Sequence, residues 1–542
     1  MGNQMKHKKA STIFAITILM AGCGGSASNS DLSSLETQAE QQTTKTNKPP
    51  TVSEVLVDID AGSNTTIELI GTDIDNEPLT YSLTQKFDHI DASINANLLT
   101  LNVPYGVYGE QLASYVANDG KDDSNNALIK VNVSTSQTQP FSVIREHSDI
   151  SAVKALSNDK IMAVGTTNTH SQFIAIYNGN GELEKAQDAQ QYLFDKRSTI
   201  HVIEQGNGYA LLAYDRFETD VAIFVLLDEQ LNEIKRETLS LPFGLNRLNR
   251  HYSVTSFDNL GFYMLGGDQQ LLFISSEGEL TTGNSPLTPM ENYLGKFTIQ
   301  DAKIVDDKVH LVGATLRCGN DLAICSSLHK RNAFTATANL DGSELKLSML
   351  APDTPIDSAL LPNGDIALLS EINLQYFDSD KTPLWQRRID IDMLPYIGQL
   401  SIAGNADIML WVYSSHTNQH GYFRVSNTNE LLWELIESAD VKEGFITEQN
   451  MLVDQYGNMF ISYVDLYQGN INWQDGDMHN IYVDYSGKKQ WQHQVSGLTV
   501  HSANVAETNT ALTSSQHFVT LGSPRDIGLN DFISIVKPIQ AK

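Results

Sequence analysis

From about residue 139 to its end the chain repeats itself, and a long internal period restricts the available folds more than any other feature here. Each unit has an approach strand, a turn carrying Gly, Asn or Asp, an apolar run, a further strand, a second polar turn and a closing strand. The clearest unit reads Ile356-Asp357-Ser358-Ala359-Leu360-Leu361-Pro362-Asn363-Gly364-Asp365-Ile366-Ala367-Leu368-Leu369, then Leu374-Gln375-Tyr376-Phe377-Asp378-Ser379-Asp380 and Leu384-Trp385. Aligned on the apolar second strand, the units centre near Ile161, Ala210, Phe262, Val309, Ile366, Ile408, Met459 and Phe518, at spacings from 42 to 59 residues. No long segment carries an i, i+3, i+4 apolar stripe, so helices are not major elements.

Units of this length fit four-stranded blades with variable loops. Radial stacking protects their edges, which is how a long all-β chain stays soluble. The expectation is an all-β protein: a β-propeller of about eight (or seven) four-stranded blades over 139–542. Two successive sandwiches and a solenoid are the alternatives. Trp385, Trp433 and Trp491 recur after the second turn, in Pro383-Leu384-Trp385, Leu431-Leu432-Trp433 and Lys489-Gln490-Trp491. Such endings resemble those of pyrroloquinoline-quinone-type propellers, including the propeller lipoprotein of the barrel-assembly machinery. The first four units have Leu183, Ile234, Leu280 and Leu345 near that place, so the tryptophans read as packing between blades rather than a cofactor stack.

Residues 49–138 have a different rhythm, with short strands between turns, as in Thr65-Thr66-Ile67-Glu68-Leu69-Ile70 and Ala127-Leu128-Ile129-Lys130-Val131-Asn132-Val133. This spacing favours a small β-sandwich of immunoglobulin-like type. Pro49-Pro50, the stretch Gly71-Thr72-Asp73-Ile74-Asp75-Asn76-Glu77-Pro78-Leu79-Thr80-Tyr81 and the exit Ala117-Asn118-Asp119-Gly120-Lys121 resemble cadherin-like and related bacterial immunoglobulin-like modules. In calcium-binding members the Asp-x-Asp pair supplies ligands, which implies Asp73 and Asp75 here, with Asp58, Asp60 and Asp119 as candidates to complete the shell. Ca²⁺ takes six to eight hard oxygen ligands, so an acid-rich rim suits it. The alternative is that these acids sit in turns, where Asp is at home.

The N-terminus reads as an address. Lys6, Lys8 and Lys9 precede an apolar run over 11–20, too short to span a bilayer. It ends in Met20-Ala21-Gly22-Cys23, followed by Gly24. This resembles a bacterial lipoprotein signal, with residues 1–22 cleaved and Cys23 lipidated, palmitate-type chains on its thiol and amine. Gly24, in place of the retention Asp, implies the outer membrane, on either face. Residues 23–48 are polar with no aromatics, a flexible tether of root-mean-square span about 25–30 Å. Losing the leader removes three lysines and no acids, so the net charge goes from −29 to −32. That balance excludes nucleic acid as a partner and docking on anionic lipid through basic patches.

No local catalytic motif is present: there is no His-Glu-x-x-His, Gly-x-Ser-x-Gly or Gly-x-x-x-x-Gly-Lys. His416 and His420 share i, i+4 spacing, but Ser414-Ser415-His416-Thr417-Asn418-Gln419-His420-Gly421 reads as a solvated hairpin loop. Cys318 and Cys325 lie seven residues apart, a spacing for a structural disulfide outside the cytoplasm. The long loop from Tyr467 to Asp477, with Tyr467, Trp473 and Asp475 foremost, is a candidate contact for a sugar or peptide. Together these features point to a monomeric, lipid-anchored, non-enzymatic envelope protein. Its propeller would be a platform for an envelope or extracellular protein or glycan. A propeller hydrolase or lyase acting on polysaccharide or peptide, with acids from different blades, is the alternative. A periplasmic assembly factor is the third reading.

Overall fold

Each repeat folds into four antiparallel strands because its turns carry their own hydrogen bonds. In the computed structural model the described residues are 46–60, 63–104, 107, 109–134, 141–147, 149–166, 172–189, 198–215, 221–241, 253–266, 270–282, 295–317, 331–350, 355–370, 373–389, 397–439, 445–466, 475–499, 510–513, 517–522 and 531–536. In the last hairpin of a blade the first turn residue accepts the amides two and four positions on. Asp228 Oδ1 takes Gln230 N and Asn232 N at 2.9 and 2.7 Å, and Asp484 Oδ1 takes Ser486 N and Lys488 N at 2.9 and 3.0 Å. The fourth turn residue is left-handed: Gly181, Leu231, Gly278, Gly342, Lys381, Asn429 and Gly487 all have positive φ. This is a type I turn closed by a bulge, a standard short hairpin loop.

Eight four-stranded sheets follow, and the ring they make is a β-propeller. The second strands of blades 1 to 8 are Ile161–Thr166, Gly208–Asp215, Gly261–Leu265, Lys308–Arg317, Ile366–Ser370, Ile408–Ser414, Met459–Leu466 and Phe518–Gly522. Every alignment centre read from the sequence lies in one of them. Ring closure shows in the core: seven hydrophobic clusters each lie between two consecutive blades, from Met162 with Leu211 (blades 1 and 2) round to Ala163 with Val519 (blades 1 and 8), while blades 7 and 8 meet in a cluster shared with the preceding domain. Blade 8 is assembled from both ends of the repeat region. Its strands run in the order Phe141–His147, Asp531–Val536, Phe518–Gly522, Thr510–Leu512, with Phe141 opposite Val536.

Donors on the outermost strand of one blade reach the last hairpin of the next. Lys185 Nζ donates to the Glu229 carbonyl at 2.7 Å and Lys235 Nζ to that of Glu277 at 2.8 Å. In later blades indoles take this role: Trp385 Nε1 donates to Asn427 O at 2.9 Å, and Trp433 Nε1 to Tyr485 O at 2.8 Å. Trp385 and Trp433 therefore pack between blades. Trp491 is buried, yet its Nε1 has no hydrogen-bond partner among the described residues. Blade 8 explains this, because its two outer strands come from distant parts of the chain and share no hairpin.

His420 corrects one expectation. The loop covers only 415–418, and His420 lies inside the strand Gln419–Val425, buried against blade 7. Trp411 Nε1 donates to its Nδ1 at 3.3 Å, so its proton sits on Nε2, 3.0 Å from the Tyr463 hydroxyl. Burial, with His479 and Lys489 nearby, pushes its pKa down to about 3. Period-2 alternation turns His420 inward, and the loop expected over 414–421 gives way to strand at Ser414 and again from Gln419 onward.

The preceding sandwich has strands β1 (Thr51–Val52), β2 (Val55–Asp60), β3 (Asn64–Glu68), β4 (Gly71–Thr72), β5 (Thr80–Gln85), β6 (Asp91–Asn95), β7 (Leu98–Asn102), β8 (Gly109–Asn118) and β9 (Ala127–Ser134). One sheet is ordered β2-β9-β8-β5, the other β3-β7-β6, with β1 paired to β4. β2 runs parallel to β9. Leu99, Leu101, Ala113, Tyr115, Ile129 and Val131 fill the space between the sheets. That core continues into Phe460, Tyr482, Trp491 and Phe518 of blades 7 and 8. The rings of Tyr456 and Tyr485 flank His89, and Gln111 donates to the Tyr485 hydroxyl. Residues 49–542 accordingly form one compact unit.

Two glycines separate backbone strain from packing. A Cβ on Gly120 (φ +93°) meets nothing within 4 Å, whereas on Gly487 (φ +85°) it falls 2.7 Å from the Trp433 ring. Gly120→Ala should cost only the left-handed strain, about 1–2 kcal/mol. Gly487→Ala should lower the urea midpoint clearly further. Equal midpoints would show that the Trp433 contact does not constrain the hairpin.

Candidate cation site and the inner-strand acids

The acid-rich loop 73–77 is held open by its neighbours. Gly71 pairs with Val52, and its amide donates to the Tyr81 hydroxyl at 2.9 Å. Asp73 Oδ1 accepts Asp75 N at 2.6 Å and Glu77 N at 3.4 Å, which folds the loop back on itself. One oxygen each from Asp73, Asp75 and Glu77 then lies within 4.8 Å of the others. Asp73 Oδ2 and Glu77 Oε2 are buried atoms with no hydrogen-bond partner among the described residues. Lys121 Nζ reaches Glu77 Oε1 at 2.8 Å, and that bond, with Asp119 and Asp75 nearby, raises the lysine pKa. Asp73 and Glu77 line an open cavity of about 440 Å³ with Gly71, Asn76, Leu79, Tyr81, Ala96 and Asn97. Carboxylates this close repel, and a cation between them removes the repulsion. The trio can coordinate a metal ion.

Of the acids named from sequence, the fold brings Asp73 and Asp75 together. Asp119 shares their end of the sandwich, but its Oδ1 closes its own turn onto Lys121 N and Asp122 N at 2.7 and 2.8 Å. Asp58 and Asp60 lie elsewhere, at the far end of β2. Asp58 accepts from Asn132, which pairs with Glu110, eight residues along β8 from Asn118. That separation is about 26 Å at a strand rise of 3.3 Å. Glu77 was missed as a ligand, although the spacing of 73, 75 and 77 puts all three on alternate positions. Cys23, Cys318, Cys325, Tyr467 and Trp473 lie outside the described residues. The loop expected over 467–477 is shorter at its C-terminal end, because Asp475 opens the strand Asp475–Val483 and its backbone pairs with Thr499.

The propeller holds a second acid constellation. Asp301 and Asp357 sit on the innermost strands of blades 4 and 5, each beside a bulge. Asp301 Oδ2 accepts Leu360 N of the next blade at 2.9 Å, and its Oδ1 accepts Ala302 N at 2.8 Å. Asp357 repeats the arrangement one blade on, with Leu400 N at 2.7 Å and Ser358 N at 2.9 Å. Burial raises both pKa values, that of Asp357 to about 7 with some repulsion from Asp301. Shifted carboxylates on neighbouring strands are where acid–base chemistry is sought. Here all four oxygens already receive backbone amides, so the pair clasps blade to blade. Nothing in the strings Thr298-Ile299-Gln300-Asp301 or Ile356-Asp357-Ser358 announces this, since the clasp depends on bulges that only the folded ring displays.

No family model matches the chain. No curated protein matches it either. Among solved structures it is similar to a quinoprotein alcohol dehydrogenase-like protein from Bacteroides thetaiotaomicron. The identity is 10%, over 82% of this chain and 96% of that one, at TM-score 0.36. A Synechocystis apocarotenoid oxygenase is matched at 9% identity over 70% and 93%, TM-score 0.34. The Neurospora crassa Pan2 WD40 domain is matched at 9% over 58% and 86%, TM-score 0.33.

Asp357 sets a pH dependence of definite sign. Its carboxyl titrates near 4 when unfolded and at about 7 when folded, so folding favours the protonated form. The stabilisation is complete below about pH 4 and disappears as pH rises through 7. Relative to Asp357→Asn, the native protein should therefore lose stability between pH 4.5 and 7.5, measured by urea midpoints of both. Parallel profiles would refute the assignment.

Proposed function

We propose that the chain is a lipid-anchored, non-catalytic envelope protein whose propeller is an interaction platform for protein or glycan. The observation that carries this reading is the occupancy of Asp301 and Asp357. The two inner-strand acids with raised pKa spend all four oxygens on backbone amides, whereas a hydrolase needs carboxylates free to meet substrate. The cadherin-like and barrel-assembly resemblances and the lipoprotein-type signal ending at Cys23 support an envelope address. Incubation with envelope polysaccharides and peptides should release no reducing ends or amines. Release that disappears in Asp357→Asn would replace the platform with the hydrolase reading. Cys23→Ala should move the protein from the membrane to the soluble fraction, and retention would overturn the anchor.

The loop 73–77 adds calcium to this proposal. Hard carboxylate oxygens in a shallow, partly solvated cavity suit Ca²⁺, which keeps waters and tolerates irregular shells. Lys121, mostly exposed on a flexible stem, can swing away as the ion takes over the charge of Glu77. Calcium at a hundredfold excess over its Kd should stabilise the protein by about 2.7 kcal/mol, read as a rise in Tm that EDTA reverses. Asp73→Asn should abolish the rise. A melting curve indifferent to calcium and EDTA would dismiss the site.

A further inference from the structure

The sandwich has two ends with different surroundings. One end is taken by the propeller: His89 lies just before β6, where Asp91 pairs with Asn102, and Gln111 is near the start of β8. The other end carries the turn from β6 to β7 and the segment around β4, joined by the bond from Leu69 N to Asn97 O at 2.7 Å. On this second end the side chains do not behave like a solvated tip. Ile70 is 70% exposed, Ile74 73% and Leu98 45%. The two isoleucines are among the three most exposed large apolar side chains of the described residues. All three adjoin residues lining the open cavity of loop 73–77.

The direction from which the chain arrives says what meets this tip. Thr51 pairs with Thr72 and Val52 with Gly71, so the polypeptide enters the fold within two residues of Ile70 and Ile74. The sequence before it is the polar stretch 24–48, following Cys23. An anchor at Cys23 thus joins the fold at its apolar end, and the propeller occupies the opposite end. We infer that the tip formed by Ile70, Ile74 and Leu98 rests on the lipid surface to which the chain is anchored, as a second, non-covalent membrane contact. The inference depends on the proposed lipidation of Cys23. Isoleucine and leucine side chains fit the boundary between headgroups and acyl chains. Asp73, Asp75 and Glu77 stand among them, so the matching surface is zwitterionic rather than anionic.

The test uses the full lipidated chain on vesicles of phosphatidylcholine and phosphatidylethanolamine carrying nitroxide-labelled lipid. An environment-sensitive dye is placed at Ile74→Cys or, as the remote control, at Glu110→Cys. Quenching at position 74 should exceed that at 110 several-fold. Adding Ile70→Ser to the Ile74→Cys chain changes an exposed residue, so Tm should hold while quenching falls by half or more. Equal quenching at 74 and 110 on membrane-bound protein would overturn the inference and leave the anchor standing. Quenching unaffected by Ile70→Ser would also overturn it. Protein that stays in the supernatant would overturn both. Shielding of the dye on intact cells but not on vesicles would assign the tip to a protein partner instead.

Discussion

The propeller depends on one antiparallel pairing, Phe141 opposite Val536 and Ile144 opposite Ile533. Each blade has an apolar face on both sides, and such a face is satisfied only by another blade. Seven blades cover one another in sequence. The eighth covers the first because the N-terminal strand Phe141–His147 completes a sheet begun at Thr510. Without that pairing, blades 7 and 1 would each present apolar surface to water and an unpaired edge to other chains. Closing contacts between residues almost 400 apart in sequence are entropically costly. The seven interblade clusters, with the core that blades 7 and 8 share with the sandwich, offset that cost only when the whole ring is present.

Closure also explains the position of the sandwich. The chain leaves β9 at Ser134 and begins the closing strand at Phe141, so the sandwich is held beside the seam. The seam is where the regular clasp fails, since blade 8 has no last hairpin to accept the Trp491 indole. What covers that region is the sandwich core, continuous with Phe460, Tyr482, Trp491 and Phe518. Tyr485 extends the join. Its carbonyl receives Trp433 and Arg424, its hydroxyl receives Gln111, and Arg424 is paired in turn with the buried Asp407 at 2.7 Å. A buried pair of this kind is weak evidence for stability but fixes geometry, because a misplaced partner leaves an uncompensated charge.

The repeat was legible because its signals are local. A turn residue such as Asp484, a left-handed Gly487 and an apolar second strand lie within a few positions of one another, so eight strand positions could be placed from sequence alone. The sandwich was legible for the same reason. The cation cluster was half legible: Asp73 and Asp75 are two positions apart in the chain, but Asp58 and Asp60 could be placed only by knowing that β2 runs parallel to β9 and ends far from β4. Lys121, the counter-charge to Glu77, comes from a turn 44 residues later. The Asp301 and Asp357 clasps were illegible, because their partners, Leu360 N and Leu400 N, belong to the following blade. His420 failed by register, where one strand position decides between solvent and core.

Fusion of sandwich and propeller limits what the acid loop can do. The shared core and the bond from Gln111 to Tyr485 tie the sandwich to blades 7 and 8. A cation bound by Asp73, Asp75 and Glu77 would act at the other end of the sandwich from that join. Its effects are confined to the loop: it cancels repulsion among three carboxylates, releases Lys121 from Glu77 and makes the surroundings of Ile70 and Ile74 less polar. The loop lies where the chain enters the fold, at the end remote from the propeller. A change of charge there would alter what that end can rest against. The proposed contact at the sandwich tip and the proposed platform at the propeller thus rest on different residues at opposite ends of one compact unit.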